Sequence, residues 1–147
     1  MDKKELGRVS RTEMLVMRAI WRMDSPVTVH KVLAIYEKDR GWKIPTLTTI
    51  LSRLVDKGFL FREIRGKVIY YSPILEENEY KSRETQTFMA SVHSGSITSF
   101  FNAMAEAKAV SSADIAEMRK WIDNYKVPIA VDKSADLEAA KAELTEV

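Results

Sequence analysis

The chain has 147 residues, 46% of them hydrophobic, which suits one ordinary domain or two small ones and is too apolar for a disordered chain. It has no cysteine, which excludes disulfides, thiol redox chemistry and thiolate metal sites. The net charge of +2 hides a split: residues 1–75 hold 15 Lys+Arg against 8 Asp+Glu, and residues 76–147 hold 8 against 13, so +7 faces −5.

Ser10-Arg-Thr-Glu13 is a capping box, and it opens a first helix that runs to about Met23 with Met14, Met17, Ile20 and Trp21 inward. Asp24-Ser-Pro26 breaks that helix. Val27-Thr28-Val29 can form a short strand against a later hairpin, and Thr28 can also cap a second helix with Val29, Val32, Leu33 and Tyr36 on one side. Gly41 ends it. Pro45 suits the first position of a third helix, and Ile44 before it is biased towards an extended shape. On that helix Leu47, Ile50, Leu51, Leu54 and Val55 make an apolar rail, while Thr46, Thr49, Arg53 and Asp56 share the opposite side. Gly58 stops it where a positive φ is wanted. Phe59 to Ser72 reads as a hairpin whose tip is Arg65-Gly66-Lys67, with Pro73 at its end.

The second half is helical. One helix is expected from about Glu76 to Ser94, with Tyr80, Phe88 and Val92 on related faces. Gly95 interrupts it. Ile97, Phe100, Phe101, Met104 and Ala105 define another, and Ser111-Ser-Ala-Asp114 starts a third that carries Ile115, Met118, Trp121, Ile122 and Tyr125. Such aromatic faces without strands have few partners within the chain, so a second copy is the expected cover, with folding back on the first half as the alternative. Val127-Pro128 ends the pattern, and Asp136 to Leu144 can form a short helix or belong to a tail.

The expected architecture is therefore mainly α with a small β-hairpin wing. It comprises a winged helix-turn-helix in residues 1–75, a three-helix dimerisation domain in residues 76–126 and a tail in residues 127–147. A helix with a hydroxyl-and-arginine face beside a basic-tipped hairpin is how a winged helix meets duplex DNA: the helix enters the major groove and the wing follows the backbone. Arg53 can grip guanine O6 and N7, or else clamp a phosphate or pair with Asp56 or Asp24. Thr46 and Thr49 offer hydroxyls to phosphate and methyls to thymine, against capping and plain exposure. Lys43 lies near the positive end of the helix dipole. Lys57, Arg65 and Lys67 complete the cationic set, with an ordinary charged turn as the alternative at the wing. Trp21, Trp42 and Trp121 read as core anchors, and His30 and His93 as exposed or capping residues. There is no nucleophile set, phosphate loop or metal spacing, so neither an enzyme nor a cofactor or metal is expected. No apolar run reaches a membrane span, and MDKKELGR precedes no apolar core of a signal peptide, so a cytoplasmic protein without membrane insertion is expected.

In order and spacing, several of these pieces resemble the BlaI/MecI family of bacterial penicillinase and methicillin-resistance repressors. They are Ser10 to Glu13, Val16-Met-Arg-Ala-Ile-Trp21, Trp42, Thr46-Leu-Thr-Thr49, Leu51-Ser-Arg-Leu54, Lys57-Gly58, Tyr70-Tyr-Ser-Pro73, Glu79-Tyr80, Gly95-Ser96 and Ser111 to Ile115. The resemblance covers about residues 8–125. It implies a homodimeric repressor that binds inverted-repeat operators, often with TACA/TGTA halves, and that is linked to β-lactam resistance or a similar stress response. It places Thr46, Thr49 and Arg53 at the contact positions of the recognition helix. It implies a C-terminal helical dimerisation domain, whose expected contact residues, from the apolar faces of its helices, are Tyr80, Phe88, Val92, Ile97, Phe100, Phe101, Met104, Ile115, Met118, Trp121 and Ile122. Where the family usually has lysine, this chain has Pro45. The family's release involves a membrane sensor and a cut at an Asn-Phe bond; here the aligned bond is Ala103-Met104, and Asn102 sits one residue away. The copper-responsive relatives use a cysteine-rich metal site, which this chain lacks. A small-molecule-sensing regulator of the MarR type, with a ligand pocket in the dimer region, is the alternative. A winged helix used only for protein contact is a third reading, against which the +7 first half argues.

Overall fold

The computed structural model describes residues 6–129. The element order is α1 (Arg11–Trp21), α2 (Val29–Arg40), α3 (Ile44–Asp56), β1 (Leu60–Arg65), β2 (Val68–Pro73), α4 (Glu77–His93), α5 (Ile97–Glu106) and α6 (Ser112–Asn124). The expected helix from Asp136 to Leu144 lies outside the described residues.

The capping box forms: Ser10 Oγ accepts the Glu13 N–H at 3.1 Å, and the Glu13 carboxylate accepts the Ser10 N–H at 3.3 Å. α1 ends at Trp21, two residues short of expectation. The Arg22 and Met23 amides reach back three residues, to the Ala19 and Ile20 carbonyls, which tightens the last turn. Thr28 caps α2, and the expected strand at Val27 to Val29 reduces to a single bridge. Thr28 Oγ1 accepts the Lys31 N–H, and Val27 beside it bridges Tyr71 of β2 through two backbone bonds of 2.8 and 2.9 Å. Gly41 then stops α2 at φ +62°.

α3 begins one residue earlier than expected. Lys43 is the extended N-cap, Ile44 is already helical, and Pro45 takes the second position. Its missing N–H is harmless anywhere in a first turn, where amides lack an intrahelical acceptor. Leu47, Ile50, Leu51 and Leu54 are buried, and they pack with Val16, Met17 and Ile20 of α1 and Val32 of α2. Gly58 turns the chain at φ +87°, and Phe59 and Leu60 close the bottom of the core. β1 and β2 pair antiparallel, from Leu60 opposite Pro73 to Arg65 opposite Val68.

α4 was expected to belong with the second domain. Its first turns instead seal the winged helix: Tyr80 lies 5.6 Å from the Trp21 ring and 5.4 Å from the Phe59 ring, and the Trp21 indole N–H donates to the Leu75 carbonyl at 2.9 Å. Two compact units accordingly divide after Gly95 rather than at residue 75. Ser94 and Gly95 make the break, both with positive φ.

In the second unit a second capping box starts α6. The Asp114 carboxylate is held below its usual pKa by the Ser111 N–H and then by the Ser111 hydroxyl. Neither α5 nor α6 has a buried residue. Ile97, Phe101, Ile115, Trp121 and Ile122 are exposed, the last two at 61% and 59%. Between the two helices lies a cleft of about 450 Å³, lined chiefly by Phe100, Phe101, Met104, Met118 and Trp121.

Candidate nucleic-acid interface

The apolar rail of α3 decides what its other side can do. With Leu47, Leu51 and Leu54 inward, Thr46, Thr49 and Arg53 must point out, and all three are exposed. They line one depression with Ser10 and Thr12 from the start of α1. Among the described residues Arg53 has no ion pair with Asp56 or Asp24, although Glu13 lines the same depression and lies within its field. Thr49 Oγ1 donates to the Pro45 carbonyl at 3.0 Å, which leaves its lone pairs and its methyl outward. Lys43, not Thr46, holds the cap position, so Thr46 is freed from the capping role considered for it.

Lys57 is the cation that the structure moves elsewhere. Its Nζ donates to both Glu13 carboxylate oxygens, at 2.6 and 2.9 Å, and Glu13 is only 3% exposed. Burial pushes the Glu13 carboxyl up. The Lys57 hydrogen bond, the Ser10 N–H and the fields of Lys57 and Arg53 outweigh it, so the group ends below its ordinary value. The Gly7 N–H caps the arrangement by donating to the Lys57 carbonyl at 3.1 Å. A β-carbon at Gly7 would come within 2.7 Å of the Lys57 side chain, so only glycine lets the chain pass so closely. Lys57 is thus a clamp between α1 and the end of α3 rather than an outward contact. The sequence showed Glu13 only as a local cap, because its second partner lies 44 residues away.

At the wing, Gly66 has φ +63° in a two-residue loop closed by Arg65 and Val68. Arg65 pairs with Glu63 at 3.0 Å and lies 5.1 Å from the centre of the Tyr70 ring. That pairing raises its pKa through the Glu63 hydrogen bond first and its charge second. Lys67 makes no ion pair among the described residues and is the freer cation of the tip.

This arrangement joins an outward hydroxyl-and-guanidinium helix face, a cationic wing tip and a three-helix core in a chain whose first half is basic. The family described as Penicillinase repressor matches residues 9–124, most of the chain. The chain belongs to the penicillinase repressor family. It is 27% identical over 123 residues to the penicillinase repressor of Bacillus licheniformis, covering 84% of this chain and 95% of that one. It is 29% identical over 123 residues to the methicillin resistance regulatory protein MecI of Mammaliicoccus sciuri, covering 84% and 98%. Among solved structures it is similar to the Bacillus licheniformis BlaI monomer in complex with the blaP half-operator. There the identity is 32%, the TM-score is 0.43, and 51% of this chain and 90% of that chain are covered. The family resemblance read from the residues is therefore correct, and the penicillinase repressor family is one of repressors, not of enzymes.

Of the residues assigned to dimerisation, Tyr80 is instead packed into the first unit against Trp21 and Phe59. Phe88 and Val92 are exposed on α4, and the remaining ones lie on α5 and α6. His30 is exposed as expected. His93 is not: it is buried at the end of α4, its ring edge-on to Phe88 at 5.2 Å. Among the described residues no helix is long and apolar enough to cross a membrane.

Proposed function

We propose that this member of the penicillinase repressor family is a cytoplasmic homodimer that binds an inverted-repeat operator in duplex DNA and excludes polymerase. The observation that carries the reading is the outward face of α3, where Thr46, Thr49 and Arg53, without an ion pair among the described residues, stand together. α3 enters the major groove, Arg53 meets a base edge or the flanking phosphate, and Lys43 and Lys67 meet the backbone. Membership in a family of penicillinase repressors supports a link to β-lactam resistance. Two chains joined through α5 and α6 present two such helices to half-sites about 34–36 Å apart, or a multiple of that.

Release through a membrane sensor and protease belongs to the same proposal. The Ala103-Met104 bond lies inside α5, where the Ala103 carbonyl accepts the Ala107 N–H at 3.0 Å and the Met104 carbonyl accepts the Ala109 N–H at 3.1 Å. A protease needs an extended chain, so the cut requires the last turn of α5 to unwind first. Footprinting on the DNA upstream of this protein's own gene tests the operator reading. Protection of a two-fold repeat is expected. Absence of protection, with binding that is indifferent to salt, would overturn it.

A further inference from the structure

α1 carries Arg11 and Arg18 seven residues apart on one face, and the last turn of α2 brings Arg40 beside them. All three line one broad open cleft of about 640 Å³ whose apolar floor includes Met14 and Leu15, and no carboxylate lines it. Among the described residues none of the three has an ion-pair partner, whereas Lys57, Arg65, Lys81 and Arg83 all do. The charges of two of them, Arg18 and Arg40, are felt at Tyr36 together with that of Arg22. Burial pushes the Tyr36 hydroxyl up, and Arg40, Arg22 and Arg18 pull against it. Arg40 also rests over the Trp42 ring, 5.7 Å from its centre, which holds it towards the start of α3.

Three guanidinium groups around a cleft that no carboxylate lines among the described residues repel one another, and an external anion relieves that repulsion. The cleft is open rather than enclosed, and it continues into the recognition face: Ser10 and Thr12 line both it and the depression that holds Thr46, Thr49 and Arg53. Charge and continuity therefore select the phosphodiester backbone as the occupant, since planar guanidinium groups match phosphate oxygens in pairs. We propose that Arg11, Arg18 and Arg40 form a phosphate track that takes the DNA backbone as it leaves the groove filled by α3. The proposal rests on the operator-binding reading and extends the contact surface beyond the recognition helix and the wing.

The test compares the full chain with its R11Q/R18Q/R40Q variant, binding the footprinted operator and an unrelated duplex across a salt series. Each lost phosphate contact removes about 0.9 from the slope of log affinity against log salt, so a fall of about two to three is expected. The preference for the operator over unrelated DNA should stay unchanged. The single variant Arg11→Gln, on an exposed side chain, should lower the slope by about 0.9 and serves if the triple variant folds poorly. An unchanged slope overturns the track. So does a thermal shift of the parent chain with inorganic phosphate, lost in the variant while DNA binding is kept, because that marks a site for a free anion. A parent chain that binds neither duplex overturns the operator reading itself, and is told apart by failing before any substitution is made.

Discussion

Glu13 and Arg53 illustrate how far one side chain's role depends on what stands next to it. Glu13 is anionic and buried, and Lys57 neutralises it with two hydrogen bonds while remaining partly open to solvent. Replacing Glu13 with glutamine should lower stability by about 1–2 kcal/mol, a charged hydrogen bond discounted for the exposure of Lys57. The folded pKa lies below the unfolded one, so the contribution is complete above about pH 5. It is lost as pH falls past the unfolded value of about 4.3 towards the folded value. Urea midpoints of the parent and Glu13→Gln should therefore differ at pH 7 and converge in acid. Among the described residues Arg53 has no such ion pair, so in the proposed complex its charge would be available to DNA. Arg53→Ala should weaken operator binding by about 1–3 kcal/mol and flatten the preference over unrelated duplex. Unchanged affinity and preference in a titration would remove Arg53 from the interface.

At the scale of elements, the two cations of the wing should not behave alike. Arg65 already shares its charge with Glu63, while Lys67 has no ion pair among the described residues. Lys67→Ala should reduce the salt slope by about 0.9, and Arg65→Ala by less, in the same binding series. Equal slopes for the two would mean that the Glu63 pair opens on DNA. The wing was legible in the sequence because its signals are local: Gly58 and Gly66 mark turns, and alternating β-branched and aromatic residues mark the strands between them. Both capping boxes and the threonine-and-arginine face of α3 were legible for the same reason, each set by spacings within a few turns. What was not legible needs contacts across the fold. Lys57 reads as one more surface cation until Glu13 arrives from 44 residues away. Tyr80 reads as part of a later helical face until Trp21 and Phe59 enclose it, which shifts the end of the first unit to Gly95. The spacing of Arg11 and Arg18 was visible, but not that Arg40 would join them.

For the whole molecule, the division of charge follows the division of labour. The cationic half carries α3 and the wing, and the anionic half carries helices whose large apolar residues face solvent. A Trp side chain exposed as far as Trp121, stacked on Tyr125 at 4.5 Å, gives up most of the transfer energy it could gain by burial. In the proposed dimer a second copy of the same surface would recover that energy for both chains at once. Replacing Phe101 and Trp121 together with glutamate places like charges and unsolvated carboxylates in that contact, so the chain should run as a monomer in light scattering. The consequence for DNA follows from effective concentration. Once one helix is bound, its linked partner meets the second half-site without a new encounter, an advantage of about 10²–10⁴-fold. The double variant should lose about that factor on a full inverted repeat and nothing on a single half-site. A variant that stays dimeric would move the contact away from α5 and α6, and one that loses half-site binding as well would show damage to the winged helix instead.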